Sequence, residues 1–473
     1  MLKENCTISS CVLLVVALLA GCTPYHPMPI DSLAVKRALA PVDTAKVKIE
    51  LQGLENPLLR PLKPVPFDLS DGLSIDEAAI MAVVANPGLK AERDRLGLAR
   101  AQVLKAGILP NPKISAGLDR PTGGPTKGTV NAYNAQIEWD ITSLISRAAE
   151  LEAQKKDLRS VELEVAWKEW QVAEAARLSF IHLFWAQRRF ALLKGIEKDM
   201  KKRLDILKKA AVQGNETALN LDAAEAAFSQ FELGLSKSEE EVKKDRLALN
   251  MVLGLPPDYE IHIQDVGLSA WPGKLPSEDS VLNGLEARRL DLVALKEGYE
   301  GEEARLRAEI LKQFPKMALG IVRSRDTGAI VTTGFAVSID LPVFDRNQGG
   351  IAVEHATRQR LFDEYMARLF EARSQLASIT SDINAVRDQV GLLQQAVENK
   401  RRLLKQTEAA FKRGDIDAIG YYQVVEDLIN KELEFLNLKE SFTELAVALE
   451  AASGLYFPYL HTAQSLPHGG GGR

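Results

Sequence analysis

The sequence predicts a mainly α-helical protein with membrane β-strands, in which one helix-strand-strand-long helix-return helix unit occurs twice. Three observations predict this fold class. Two halves of the chain match residue by residue, long segments keep a seven-residue apolar period, and two pairs of short segments alternate apolar and polar residues. Since four strands cannot close a membrane barrel, the chain must oligomerise. A dimer and a trimer would each supply the roughly eight or more strands that such barrels use, and closure alone does not choose between them.

Composition excludes several classes of protein. The 473 residues are 46% hydrophobic and 26% charged, which is typical of folded chains and excludes disorder throughout. The net charge of -5 argues against a nucleic-acid-binding surface. The six histidines lack metal-ligand spacing and the cysteines do not cluster, so we predict no metal site, no cofactor and no enzymatic activity.

The first 21 residues read as a lipoprotein signal peptide. Residues 11–20 form an apolar run too short to span a bilayer, and Leu-Ala-Gly-Cys at 19–22 resembles the bacterial lipobox. We therefore expect Cys22 to be lipidated after cleavage, and Thr23 in place of aspartate resembles outer-membrane sorting. The alternative is an uncleaved signal anchor. Prolines punctuate the next stretch, which predicts an extended, lipid-anchored tether over 22–72.

The repeated unit covers residues 73–255 and 277–455, with an inter-repeat segment at 256–276 and a C-terminal tail at 456–473. The two copies match in the following pairs: Ser74 with Ser277, Leu89 with Leu292, Asp140 with Asp340, and Gly214 with Gly414. Each copy predicts a helix of about 36 residues (74–109 and 277–312), two strands, a helix of about 68, a glycine turn and a return helix of about 38. The two shorter helices placed end to end would therefore run beside the long one for about 100 Å.

The long helices carry coiled-coil seams that predict side-by-side packing. In the first copy the seven-residue series is Leu144, Leu151, Leu158, Val165, Val172, Ser179, Ala186, Leu193, Met200 and Leu207. In the second copy it is Leu369, Leu376, Ile383, Val390, Val397, Leu404 and Phe411, joined by Ala372, Ile379, Val386 and Leu393. A cytosolic coiled-coil rod would explain the seams but not the strands.

The four strands are predicted at about 112–120, 130–141, 315–325 and 329–341. In the second of them, Tyr133, Ile137 and Trp139 share one face while Glu138 and Asp140 share the other. One such hairpin would fit a soluble sheet packed on helices. Two hairpins at equivalent positions behind an outer-membrane lipoprotein signal favour membrane strands, with apolar side chains facing lipid.

These features together resemble the bacterial outer-membrane efflux protein (TolC) family. The likeness rests on the duplication, on the matched segments Asn-Pro-Gly-Leu at 86–89 and Arg-Leu-Asp-Leu at 289–292, on Leu-Pro-Val-Phe-Asp-Arg-Asn-Gln-Gly at 341–349, and on the glycine turns. It implies a homotrimer with a twelve-stranded β-barrel in the outer membrane and a twelve-helix α-barrel across the periplasm. It also implies a passive exit duct without cofactor, docked on a periplasmic adaptor and an inner-membrane pump.

The same resemblance assigns the two glycine turns to the periplasmic tips that meet the adaptor and close the entrance. The candidate tip residues are Gly214, Asn215, Glu216, Arg413, Gly414, Asp415 and Asp417. Helix capping alone would explain Asp415 or Asp417. If the tips gather around a three-fold axis, their carboxylates would favour cations.

Three carboxylates are candidates for the lumen of the barrel. Glu138, Asp140 and Asp340 lie on the polar faces of the strands, the aspartates at repeat-equivalent ends. Stabilisation of the strand-to-helix turn is the alternative role for both aspartates.

The wording around 341–350 is similar to that of heavy-metal resistance-nodulation-division systems, which makes heavy-metal cations the favoured cargo. Other readings stay open: a drug-efflux or type I secretion duct, or a structural coiled-coil lipoprotein without a pore. The pump rather than a wide lumen would select the substrate.

Overall fold

A computed structural model describes residues 24–38, 69–264 and 276–455 of the chain. The predicted signal peptide, Cys22, most of the tether and the C-terminal tail lie outside the described residues, as does the second half of the inter-repeat segment. The chain divides into two units, Met1–Val42 and Asp43–Arg473. In the first unit the prediction of a wholly extended tether is wrong, because helix α1 spans Ser32–Ala38. Asp31 starts this helix, since its carboxylate accepts a hydrogen bond from the Ala34 N–H at 2.7 Å.

The second unit contains both copies of the repeat. The first copy comprises α2 (Ile75–Ala85), α3 (Pro87–Gly107), β1 (Lys113–Asp119), β2 (Ala132–Asp140), α4 (Thr142–Val212) and α5 (Ala218–Val252). The second comprises α6 (Glu278–Leu282), α7 (Leu285–Arg288), α8 (Leu290–Leu311), β3 (Lys316–Arg325), β4 (Val331–Asp340), α9 (Gln348–Arg413) and α10 (Ala418–Ser453). The order of helices and strands predicted for each copy is therefore confirmed.

The prediction of one continuous helix before each strand pair is wrong. In the first copy the helix breaks at Asn86, whose backbone is extended (φ -63°, ψ 119°) because a residue before proline avoids the helical region. Pro87 then occupies the first turn of α3, where its missing N–H costs nothing, and the Asn86 side chain caps that turn. In the second copy Gly284, with φ 72°, and the extended Arg289 separate α6, α7 and α8.

The breaks lie where the return helices end. Asn86 Nδ2 donates to the Val252 carbonyl at 3.0 Å, and in the second copy the Arg288 guanidinium donates to the Ser453 carbonyl at 3.4 Å. Gly254 approaches so closely that a Cβ there would lie 2.7 Å from the Ala85 carbonyl oxygen. The backbone of each return helix therefore meets the interruption of the helix before the strands.

The two long helices span 71 and 66 residues, so each is about 100 Å long. Both α2 and α3 pack along α4, which also contacts α5, α8 and α10. Every predicted seam position in α4 and α9 is buried or half-buried. The seven-residue period therefore marks the packed face of these helices. Among the described residues, no helix has the length and hydropathy needed to cross a membrane.

The four strands form one antiparallel sheet in the order β1-β2-β3-β4. Rows of apolar residues cross it on a single face: Ile114 pairs with Ile137, Ile137 with Ile321, and Ile321 with Phe335. A second row on this face contains Trp139, Leu319 and Val337. Hence the predicted alternation is confirmed by the register.

The apolar face of the sheet is exposed in this single chain. Phe335 is 91% exposed, and Ile114, Ile321 and Val337 are exposed as well. A soluble sheet packed on helices would bury these side chains, so that alternative is wrong. An exposed apolar band across four strands is typical of a surface that faces lipid.

Candidate functional site

The first tip, residues 212–217, joins α4 to α5. Gly214 has φ 75°, a left-handed conformation that lets the chain reverse with little strain. Thr217 caps α5, since its hydroxyl accepts a hydrogen bond from the Asn220 N–H at 3.2 Å. The carboxylate of Glu216 accepts from the Thr217 N–H at 2.9 Å and from Asn220 Nδ2 at 2.7 Å. Glu216 therefore stabilises the start of α5, and these two hydrogen bonds fix the position of its carboxylate.

The second tip, residues 412–417, joins α9 to α10 through Gly414, with φ 80°. Asp417 accepts a hydrogen bond from the Gly420 N–H at 2.8 Å, so the capping role considered for it is observed. Asp415 takes a different partner, the Arg413 guanidinium, at 2.7 Å. Both members of that pair are more than half exposed, which leaves the carboxylate of Asp415 at the surface of the tip.

An aromatic cluster lies directly behind the tips. Tyr421 stacks on Phe411 with ring centroids 4.9 Å apart, and Tyr422 contacts the edge of Tyr421 at 5.3 Å. Both tyrosines pack with Phe228 and Phe231 of α5 and with apolar side chains of α4. Burial raises the pKa of Tyr422 to about 12, so this phenol is neutral at physiological pH. The cluster joins the two helical hairpins of the repeat at their tip end.

An ion pair beside this cluster connects the two copies of the repeat. Arg203 of α4 donates to Glu408 of α9 at 2.9 Å, and its guanidinium lies 5.2 Å from the centre of the Tyr421 ring. The hydrogen bond from Arg203, followed by that from Lys412, holds the pKa of Glu408 below its ordinary value. Sequence reasoning missed all of these residues, because each charge reads as part of a solvated helix face until its partner is known.

The first strand-to-helix junction uses Asp140 as a local brace. Its carboxylate accepts a hydrogen bond from the Ser143 N–H at 3.1 Å, which favours the turn-stabilising alternative for this residue. Thr142 fastens the junction to the neighbouring hairpin: its hydroxyl accepts from the Met317 N–H at 2.6 Å and donates to the Pro315 carbonyl at 3.1 Å. The start of α4 is therefore tied to the start of β3.

The second junction, residues 341–350, is anchored on α8 by Asn347. This residue adopts a left-handed conformation (φ 59°) directly before α9, and its Nδ2 donates to the Glu309 carboxylate at 2.6 Å. A Cβ on Gly350 would lie 2.6 Å from the Asn347 side-chain oxygen, so a larger residue there would displace this side chain. Asn347 and Gly350 therefore stabilise the structure of this junction. The link to Glu309, 38 residues away, was not visible in the sequence.

Glu138, Asp140 and Asp340 lie on the face of the sheet opposite the apolar rows. Glu138 pairs in register with Gly320, and its carboxylate accepts a hydrogen bond from Gln136 at 3.2 Å. Asp340 ends β4 opposite Lys316 and is exposed. The structure therefore brings the three predicted carboxylates onto one polar face.

Comparison with known proteins found a curated relative and solved structures of similar fold. No family model matches the chain. The cobalt-zinc-cadmium resistance protein CzcC of Cupriavidus metallidurans is 20% identical over 391 residues, which cover 82% of this chain and 92% of CzcC.

Two solved structures share the fold. CusC, described with its transmembrane channel formation, superposes with a TM-score of 0.69 at 15% identity, over 83% of this chain and 95% of CusC. The CmeC outer membrane channel of Campylobacter jejuni gives 0.69 at 16% identity, over 86% and 92% of the two chains. The predicted resemblance to the outer-membrane efflux protein family is therefore confirmed, and the chain has the fold of these outer-membrane channels.

Proposed function

We propose that this chain is one protomer of an outer-membrane exit duct that passively conducts substrates out of the cell. The observation that carries the proposal is the exposed apolar face of the four-stranded sheet, joined without a domain break to helices about 100 Å long. The sheet supplies the surface for lipid, and the helices supply a wall long enough to extend far into the periplasm. Catalysis has no part in this proposal.

The edges of the sheet support assembly into a homotrimer. Because β1 to β4 alternate in direction, β4 of one protomer runs antiparallel to β1 of the next, and the ladder continues between copies. An open edge in lipid would leave backbone groups without partners. Three copies then form the twelve-stranded barrel that the family resemblance implies.

The polar face of the sheet would line the pore. Glu138, Asp140 and Asp340 contribute carboxylates there, while small residues such as Gly320 and Ser338 leave the lumen open. Such a lining makes the duct wet and mildly cation-favouring. The driving force would come from the inner-membrane pump.

We assign docking of the periplasmic adaptor to the two tips. Their exposed groups are Asn215 in the first tip, where Glu216 is half-buried, and Arg413 and Asp415 in the second. The ion pair between Arg203 and Glu408 would hold the hairpins together in the closed entrance, because it joins helices from different copies of the repeat.

We further propose that Cys22 carries the lipid that anchors the protein to the outer membrane. Radiolabelled palmitate supplied to cells is expected to label the full-length chain and not its Cys22→Ala variant. Channel activity is expected to persist in that variant, because the sheet holds the protein in the bilayer. Equal labelling of both proteins would contradict the assignment.

Heavy-metal cations are the cargo we favour, since the name of the relative CzcC refers to cobalt, zinc and cadmium. Deletion of the chain from its own host is expected to lower resistance to these metals and not to hydrophobic drugs. The reverse pattern would assign the duct to drug efflux.

Reconstitution tests the channel itself. Full-length protein in mild detergent is expected to form trimers that conduct ions in a planar bilayer. Phe335→Arg places a charge on the proposed lipid face, where it costs about 2–4 kcal/mol near the bilayer midplane, and should block assembly. The matched Ser338→Arg lies on the polar face of the same strand, and should assemble and change ion selectivity. Non-conducting monomers from the unmodified chain would refute the duct.

A further inference from the structure

A histidine and two glutamates meet between the two copies of the repeat, away from the tips and the strands. His182 lies on α4, while Glu440 and Glu444 lie one turn apart on the same face of α10. One potential ligand atom from each of the three residues lies within 4.8 Å of the other two. His182 Nε2 is 2.7 Å from the Glu444 carboxylate, and all three residues are half-buried.

Neighbouring contacts hold this group in position. Arg189, one of the buried residues of α4, donates to the Glu440 carboxylate and to Asn437 of α10, the latter at 3.1 Å. Trp185 donates from its indole N–H to the Thr443 hydroxyl at 3.1 Å. Because these bonds lie beside the group on both helices, they set the register of α4 against α10. The ligand atoms therefore need only small side-chain rotations to converge.

The surroundings carry an excess of negative charge. Besides Glu440 and Glu444, Asp245 of α5 interacts electrostatically with His182. Glu241 of α5 forms an ion pair with Arg189 at 3.0 Å. Arg189 itself and Lys244 are the cations that face these carboxylates. His182 Nε2 and the Glu444 carboxylate lie 2.7 Å apart, and a divalent cation bound between them would relieve the repulsion among the carboxylates.

We propose that His182, Glu440 and Glu444 form a site for a divalent transition-metal cation of the zinc class. One imidazole nitrogen and two carboxylate oxygens, with an open position for water, make a donor set that Zn²⁺ accepts. Mg²⁺ and Ca²⁺ prefer all-oxygen sites and are not expected to compete. The bound ion would join α4 of the first copy to α10 of the second. This inference does not depend on the channel function.

Titration of the purified full-length protein with ZnCl2 against a chromophoric chelator tests the site. The wild type is expected to take up one Zn²⁺ per chain at this site, and His182→Asn and Glu444→Gln are each expected to weaken binding by roughly tenfold or more. The control is His355→Asn, which changes an exposed histidine near the second junction. It should bind as the wild type does.

Two further measurements separate loss of ligand from loss of folding. At one Zn²⁺ concentration, the Tm of the wild type and of His355→Asn should rise more than the Tm of His182→Asn. Co²⁺ should produce visible absorption bands in the wild type that disappear in Glu444→Gln with circular dichroism intact. Unaltered Zn²⁺ affinity in both His182→Asn and Glu444→Gln would overturn the proposal, as would equal competition by Mg²⁺.

Discussion

Replacing Arg203 with glutamine is expected to loosen the contact between the two helical hairpins behind the tips. The guanidinium makes two contacts that glutamine cannot reproduce: the ion pair with Glu408 and the placement over the Tyr421 ring. Both partners belong to the other copy of the repeat. The variant therefore removes attraction between the hairpins without altering the packing within either one.

The magnitude follows from the exposure of the pair. The Arg203 and Glu408 side chains are 29% and 31% exposed, so the ion pair contributes about 0.5–1 kcal/mol. The cation over the aromatic ring adds about 0.5–1 kcal/mol. A loss of about 1–2 kcal/mol changes the ratio of closed to open hairpins within one protomer by a factor of about 5–30, and the factors of the three protomers multiply when they open together.

Single-channel recording in planar bilayers measures this ratio as open probability. Arg203→Gln, Glu408→Gln and the double variant form a cycle, in which coupling of about 0.5–1 kcal/mol is expected between the first two changes. Lys412→Gln is the matched control: Lys412 contacts the same carboxylate at 3.1 Å but is 68% exposed, and should change little. Additivity within the error of the cycle would refute the reasoning, as would an unchanged open probability in Arg203→Gln.

Three further predictions concern stability. Asp417→Ala should destabilise the start of α10 by about 1 kcal/mol and speed amide hydrogen exchange there. Asp417→Asn should retain the cap. Equal exchange rates in the two variants would contradict this prediction. Gly350→Ala should lower the Tm, because its Cβ would displace the Asn347 and Glu309 side chains, which are joined by a hydrogen bond. Gly349→Ala, with open space around its Cβ, should raise the Tm slightly. Burial raises the pKa of Glu302 to about 7. Between roughly pH 4.5 and 7 the folded state therefore binds more protons than the unfolded state. The free energy of unfolding falls as the pH rises through this window. In thermal melts, Glu302→Gln should reduce the fall of Tm with pH, whereas Glu398→Gln, at an exposed residue, should not. An equal fall in both variants would show that another group is responsible.

Much of the fold was readable because its signals are local or periodic. The seam residues of α4 and α9 recur at seven, and a strand must alternate its faces, so both patterns could be found without knowing any partner. The internal duplication then supplied an independent check, since each element had to appear twice. The break at Asn86 was missed although Pro87 signals it, because the apolar pattern continues on both sides.

The candidate site was less readable because its contacts join distant parts of the chain. The glycine turns were found from local chemistry, and so was the possible cap at Asp417. The link from Asn347 to Glu309 joins the residue before α9 to α8, and Arg203 meets Glu408 across 205 residues. No spacing rule relates such pairs.

By itself, the sequence determined the repeated unit, the length of its helices and the alternating faces of its strands, because hydrophobic periodicity follows from backbone geometry alone. Only the tertiary structure decided which charged residues pair, such as His182 of α4 with Glu444 of α10. It also decided that the helices before the strands are interrupted where they contact the return helices. The reason is physical: side-chain pairing across helices depends on axial register and rotation, which the packing of the whole unit sets.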